Sequence, residues 1–402
     1  MPKNSRREFL KTGALLGGAF VLPGAAATVM QLPENRGRVA APKADKLRKP
    51  VSFVSDSSYV SPEEYLQKLQ AISQQEAITP DFYGNGGATK ALEEKFAQLL
   101  GKEQAIYLPT GTMANQVAMK LLNGNNTKVI VPENSHIFRD EADAAQSVHS
   151  LRLVPVGQGK PHFTKADLEE TIKYLAAGEV FKSGLGTVVI ENPVRRADGA
   201  FVPLADIQEI QKYCQEKGLK MHLDGARLFI ASAFSGVSVR EYADKFDTVY
   251  VSLYKYLGAA GGAILAGPAS VMDGVEHQIK ILGGTVYQTW VNTAMALHAL
   301  DGIEERWGKV AAKTRELLQA VNSVKGLTLK AIENGTNGFL LTLDSGIDGK
   351  KLVEFLRNER QINLRPANDK GDIMLYVNES LLSWQAADIK KGLVEGIEKA
   401  KG

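Results

Sequence analysis

The chain has 402 residues, room for two or three compact units at ordinary domain size. Apolar residues make up 44% and charged residues 23%, a globular balance that excludes a disordered tail protein or a collagen-like repeat. The net charge of +3 sits in residues 1–27, where Lys3, Arg6, Arg7 and Lys11 face Glu8; the remainder holds 44 basic and 44 acidic residues. A neutral body without a basic tract excludes a nucleic-acid binder that lives on phosphate neutralisation. A single cysteine, Cys214, can build neither an intrachain disulfide nor a Cys-rich centre, so no metal is expected.

The N-terminus reads as an address. Ser5-Arg6-Arg7-Glu8-Phe9-Leu10-Lys11 resembles the bacterial twin-arginine export motif S-R-R-x-F-L-K. Thr12 to Pro33 carries no charge, and its apolar heart, Gly13–Leu22, is ten residues with three glycines, too short for a span of about 20. Ala25-Ala26-Ala27 supplies the small residues of a signal-peptidase site. The expectation is a signal peptide over 1–27, cleaved near residue 27, a linker over 28–50 and a periplasmic protein handed to the twin-arginine machinery; an uncleaved anchor is the alternative. Such a leader resembles those of proteins that fold and load a cofactor before export, which suits a chain without disulfides.

From about residue 90 helical and strand patterns alternate. Ala88–Leu100 is an amphipathic helix with Leu92, Phe96, Leu99 and Leu100 on one stripe. Gln104–Leu108 is a strand, Thr112–Leu122 a helix, and Lys128–Val131 and Leu151–Val156 are strands. Pro203–Glu216 is a helix ended by Gly218. Thr187–Ile190, Lys220–Leu223, Thr248–Leu253 and Gly262–Ala266 are apolar runs of the kind found in fully covered strands. This predicts an α/β fold, a mostly parallel sheet sandwiched by helices, over 51–305. From 306 to 402 the helices Lys309–Val321 and Gln385–Lys399 bracket strands Leu327–Ala331, Phe339–Leu343 and Ile373–Val377, a smaller α+β domain.

Four features carry chemistry. Strand Gln104–Leu108 runs through Pro109-Thr110-Gly111-Thr112 into a helix, which is either a phosphate cup of free N–H groups or a plain N-cap. Strand Lys220–Leu223 ends at Asp224, on the same face as His222, where parallel sheets bind ligands. Thr248–Tyr254 delivers Lys255 between Tyr254 and Tyr256 with glycines beyond; a desolvated amine there is a nucleophile toward an aldehyde, whereas a snorkelling lysine is inert. His136 follows strand Lys128–Val131 and offers a ring for stacking. A phosphate cup, a carboxylate, a lysine and an aromatic ring together are what pyridoxal 5′-phosphate requires.

These residues resemble the threonine aldolases, within the β-eliminating lyase group of fold-type-I pyridoxal-phosphate enzymes. The similarity covers roughly 50–310. It includes Val54-Ser55-Asp56, Asp81-Phe82-Tyr83-Gly84 with Leu92-Glu93-Glu94, and Pro109-Thr110-Gly111-Thr112-Met113-Ala114-Asn115. It continues through Ser135-His136-Ile137 with Glu141, Ile190-Glu191-Asn192, His222-Leu223-Asp224-Gly225-Ala226-Arg227-Leu228 and Ser252-Leu253-Tyr254-Lys255. The resemblance implies Lys255 as the Schiff-base lysine, Asp224 as partner of the pyridine nitrogen and His136 as the stacking ring and proton carrier. It implies Gly111, Thr112 and Ser252 around the phosphate. Ser55 and Arg227 would bind the substrate carboxylate or the cofactor oxygen. Tyr83 would lie near the site, from this chain or from a second subunit of a homodimer or homotetramer.

The pattern also departs from the family. The family's G-G-G-M-R-Q segment is Gly283-Gly284-Thr285-Val286-Tyr287-Gln288 here, and its R-[FI]-V-T-H segment is Met374-Leu375-Tyr376-Val377-Asn378. Met374 stands where the family has a carboxylate-gripping arginine, and Arg365 is the candidate substitute. The resemblance therefore implies cleavage of a β-hydroxy-α-amino acid to glycine and an aldehyde. Tyr254, Tyr256 and Tyr287 would favour a β-substituent larger than methyl. The alternatives are β-elimination or amino transfer with the same cofactor, and an exported protein that binds the cofactor without turnover.

Overall fold

The computed structural model describes residues 49–401, so the expected leader and nearly all of the expected linker lie outside the described residues. The strands, in chain order, are β1 (Val51–Ser52), β2 (Gln104–Leu108), β3 (Lys128–Pro132), β4 (Arg152–Val156), β5 (Leu185–Glu191) and β6 (Lys220–Asp224). They continue as β7 (Thr248–Ser252), β8 (Ala263–Gly267), β9 (Leu327–Ala331), β10 (Gly338–Leu343), β11 (Ile362–Asn363) and β12 (Asp372–Tyr376).

Seven strands form one sheet in the order β2-β8-β7-β6-β5-β3-β4. Only β8 runs against its neighbours, β2 and β7; every other pairing is parallel. The chain therefore leaves β2, β3, β5, β6 and β7 at the same edge. The central strands are apolar on both faces, with Val188, Val189, Leu223, Val249, Val251 and Ile264 fully buried, as a sheet covered on both sides requires. The helix Gly111–Asn123 buries Ala114, Val117, Ala118 and Met119 against this sheet. The helix Leu204–Lys217 buries Ile207, Ile210 and Tyr213 and ends at Gly218 in the left-handed conformation that a residue without Cβ adopts freely.

The C-terminal part carries a smaller antiparallel sheet, β12-β10-β9. The long helix Ile303–Asn322 leads into it, and the helix Ala386–Ala400 closes the described chain. Two elements extend the pattern read from sequence. The helix Pro62–Gln75 has a complete capping box, Ser61 with Glu64, and a proline at its start. Strand β1 pairs in parallel with β11, Val51 opposite Ile362, and Tyr376 N–H donates to the Phe53 carbonyl at 2.9 Å. The beginning of the described chain is thus stitched to its far end. Asn378 Nδ2 donates to the carbonyls of Ser52 and Ser55 at 2.7 and 2.8 Å, which fixes the segment that carries Ser55 and Asp56.

Candidate active site

The shared edge of β2, β3, β5, β6 and β7 opens into a cavity of about 470 Å³. Gly111, Thr112, His136, Asp224, Arg227 and Lys255 all line it. Chain segments separated by more than a hundred residues meet there because parallel strands deliver their carboxyl ends to one side. Glu191, Asp224 and Tyr250 form a row across β5, β6 and β7, Glu191 opposite Asp224 and Asp224 opposite Tyr250.

Asp224 is buried and held from two sides. Its Oδ2 accepts from Asn115 Nδ2 at 3.0 Å, and its Oδ1 from the Ala226 N–H at 3.2 Å. The same Asn115 Nδ2 donates to Glu141 Oε1 at 2.8 Å. Asn115 Oδ1 faces His222 Nε2 at 3.0 Å, and His222 Nδ1 faces Thr248 Oγ1 at 2.8 Å. Two carboxylates can only accept, so they set the amide of Asn115 with nitrogen toward them and oxygen toward the imidazole, and His222 Nε2 carries the hydrogen. Burial pulls the His222 imidazole down to about 4, which keeps it neutral. His222 is therefore a buried support behind Asp224 and does not line the cavity.

His136 starts a short helix capped by Ser135, and its backbone N–H donates to Glu191 Oε2 at 2.6 Å. Its Nδ1 meets Glu141 Oε1 at 3.0 Å. That bond raises the imidazole above its ordinary range, and burial raises the carboxyl of Glu141. Burial, then the charge of Asp224, pushes Glu191 upward too.

Strand β7 stops at Ser252, so Lys255 sits in the following turn and not at the strand's last position. The turn folds back through Gly258 and Gly262, both at positive φ, and the Leu253 N–H donates to the Gly262 carbonyl at 3.1 Å. Lys255 Nζ lies 5.7 Å from the centre of the Tyr254 ring. Burial, reinforced by the positive charge of Arg227, brings its amine down to about 8.

At the start of the helix Gly111–Asn123, Thr110 Oγ1 accepts from the Met113 N–H at 3.2 Å, and the Thr110 carbonyl accepts from the Ala114 N–H. Thr110 is therefore the N-cap, and the N–H groups of Gly111 and Thr112 are left for a ligand. Gly111 lies so close to the Tyr250 hydroxyl that no Cβ fits. Ser252, expected at the phosphate, is fully buried and does not line the cavity; its Oγ approaches the Tyr250 side chain without a hydrogen bond of good geometry.

A second cavity, of about 410 Å³, adjoins the first and shares Arg195 and Arg227 with it. Ser55, Asp56, Arg365 and Tyr376 line it. Arg227 Nε donates to Asp56 Oδ2 at 2.6 Å, and Asn337 Nδ2 holds Asp56 Oδ1 at 3.2 Å. Arg365 Nε donates to the Val54 carbonyl at 2.7 Å, and its guanidinium lies 4.5 Å over the Tyr376 ring. Met374 sits one pleat along β12 from Tyr376, so Arg365 brings a guanidinium to the end of the strand on which Met374 has none.

Three expected tyrosines also fall elsewhere. Tyr83, at φ +57°, packs its ring 5.2 Å from that of Tyr287 and lines a separate cavity with Lys90 and Lys280. It does not line the cavity that holds Lys255. Tyr287 goes with Tyr83, and Tyr256 is buried edge-on against Trp307 and Phe229. Of the three tyrosines expected to shape the substrate's room, only Tyr254 lines the site. Conversely, Asn115, Glu141, Glu191 and Asp56 hold the site together, roles that the sequence motifs do not assign to them. The signal for Asn115 is a polar residue next to the buried apolar face of the helix, although Gln116 and Asn123 carry the same signal.

The cavity fits pyridoxal 5′-phosphate. It offers an amine near neutrality, a fixed carboxylate, and two free N–H groups at a helix start. The model of the beta-eliminating lyase family matches residues 53–343. A low-specificity L-threonine aldolase of Candida albicans is 30% identical over 54% of this chain, and the match spans 58% of that protein. Low-specificity L-threonine aldolase 1 of Arabidopsis thaliana is 27% identical over 74% of this chain and 84% of its own. A crystal structure of a candidate aromatic amino acid beta-eliminating lyase/threonine aldolase from an Exiguobacterium species superposes with a TM-score of 0.73 at 24% identity, covering 88% of this chain and 98% of that one. At that identity the superposition speaks for the fold. With nearly three hundred residues under one family model and the fold shared, the chain belongs to the beta-eliminating lyase family.

Proposed function

We propose that this protein is a pyridoxal-phosphate-dependent carbon–carbon lyase that divides a β-hydroxy-α-amino acid into glycine and an aldehyde. The observation that carries the reading is the convergence of Lys255, Asp224 and the free start of the helix Gly111–Asn123 on one cavity. The cofactor, when bound, supplies an electron-withdrawing ring joined to the substrate's amino group. Lys255 would hold its aldehyde, Asp224 the proton on its ring nitrogen, and Gly111 and Thr112 its phosphate. Two donors on Asp224 keep that carboxylate facing the cavity. Glu141 takes the Nδ1–H of His136, which leaves the Nε2 lone pair as the base for the β-hydroxyl proton. Asp56 occupies Arg227 Nε, so Arg227 offers its terminal nitrogens. Those, with Arg365, would grip the substrate carboxylate; the Ser55 hydroxyl already donates to the Ser57 carbonyl at 2.7 Å.

Incubation of the cofactor-loaded protein with threonine, allo-threonine and phenylserine tests this. Glycine and aldehyde released in equal amounts support it; pyruvate and ammonia from serine would favour β-elimination, the reading that Met374 in the arginine's place recommends. Turnover that survives Lys255→Ala would contradict both. We also propose export by the twin-arginine route, on the strength of Ser5–Lys11. Arg6→Lys with Arg7→Lys should hold the protein in the cytoplasmic fraction. A homodimer or homotetramer is proposed from the exposed cluster Phe82, Tyr83 and Tyr287; sedimentation of a lone monomer would refute it.

A further inference from the structure

We infer that the substrate carries a second acidic group, a carboxylate on its β-side, and that Arg195 recognises it. The inference rests on the lyase reading and narrows its substrate class. It starts from the charge around the second cavity. Four guanidinium groups line it, those of Arg195, Arg196, Arg227 and Arg365. Two carboxylates serve them. Asp56 is taken by Arg227. Asp140 is taken by Arg196 through two bonds, Nε to Oδ2 at 3.0 Å and Nη2 to Oδ1 at 2.6 Å. Arg195 keeps only a long contact to the same carboxylate, Nη1 to Oδ2 at 3.3 Å. Arg365 has a carbonyl and an aromatic face but no carboxylate among the described residues.

Arg195 and Arg365 are therefore left without a carboxylate of their own among the described residues. The α-carboxylate of any amino acid neutralises one. A second carboxylate would pair the other, Arg195, which a neutral β-substituent leaves without an anion of its own. The position of Arg195 fits the part. It lines both cavities, and its backbone is pinned at the boundary by its N–H donating to Glu191 Oε1 at 2.8 Å. The deeper acids make no ion pair with Arg195: Glu191 accepts from the backbone N–H groups of His136 and Arg195, and Glu141 is held by His136 and Asn115. A planar fork with one long hydrogen bond among the described residues suits a carboxylate.

The reaction stays balanced without a further reagent. The β-hydroxyl loses its proton, the Cα–Cβ bond breaks as the β-carbon becomes a carbonyl, and Cα gains a proton. The products are glycine and an oxo acid.

Two measurements on the cofactor-loaded protein test the inference. The first is calorimetric titration with L-aspartate and with L-asparagine, which share shape and differ in charge. Aspartate should bind about tenfold or more tightly, the preference should shrink with salt, Arg195→Gln should bring the ratio near one, and Arg195→Lys should restore part of it. Equal affinities, or a ratio that survives Arg195→Gln, overturn the inference. The second compares kcat/KM for β-hydroxyaspartate, β-hydroxyasparagine and phenylserine, each in both β-configurations. The acid should lead. If phenylserine or the amide is cleaved as well as the acid, the lyase reading stands and the inference falls. If aspartate is preferred in binding but no hydroxy amino acid releases glycine, acid recognition stands and the lyase reading falls.

Discussion

The state of Lys255 before it meets the cofactor gives a prediction with a magnitude. Burial beside Arg227 brings its amine to about 8. At pH 7.5 such a lysine is about one-quarter neutral, against about 0.1% for an ordinary lysine near 10.4, so the reactive fraction is about two hundredfold larger. Protein stripped of cofactor and mixed rapidly with pyridoxal phosphate should develop its visible band at a rate that rises with pH and levels off above about 8. The sign follows from the chemistry, since only the unprotonated amine attacks. Arg227→Gln removes the nearby positive charge and should move the midpoint upward. A midpoint above 10 in the parent protein would show that the amine is solvated and would refute the reasoning.

The other predictions follow from neighbouring contacts. Gly111→Ala drives a methyl group into the Tyr250 hydroxyl and should cost about 1–3 kcal/mol in urea unfolding, with Tyr250→Phe recovering part of it. Asn115→Ala leaves Asp224, Glu141 and His222 each short of a buried partner, and should also cost about 1–3 kcal/mol while weakening cofactor retention. The acid limb of kcat/KM should titrate above the usual imidazole range because Glu141 stabilises protonated His136; Glu141→Gln should shift that limb down. Arg365→Gln should raise KM for amino acids about tenfold or more with a smaller change in kcat; an unchanged KM would remove Arg365 from the carboxylate grip.

The sheet was legible because its strands are continuous apolar runs between helices, and all seven appear within two residues of where the pattern puts their ends. The ends of β2, β6 and β7 carry the residues that the motif reading singled out. What stayed hidden is what depends on distance along the chain. The bond from Asn115 to His222 joins residues 107 apart, and that from Arg227 to Asp56 joins residues 171 apart. No local spacing encodes either. The reversal of β8 was equally silent, since an apolar strand reads the same in both directions. The helix Pro62–Gln75 could have been found from Ser61-Pro62 with Glu64, a start signal in plain view. Tyr256 misled because a tyrosine beside a reactive lysine looks like a site residue, whereas the turn aims it into the core.

The central claim is that the Lys255 amine holds pyridoxal phosphate opposite Asp224. Borohydride reduction of protein purified without added cofactor, followed by peptide mapping, tests it most directly. The account predicts one pyridoxyl group on Lys255 and a colourless, unlabelled Lys255→Ala protein. Label on another lysine, or none after the vitamer is supplied, would contradict it.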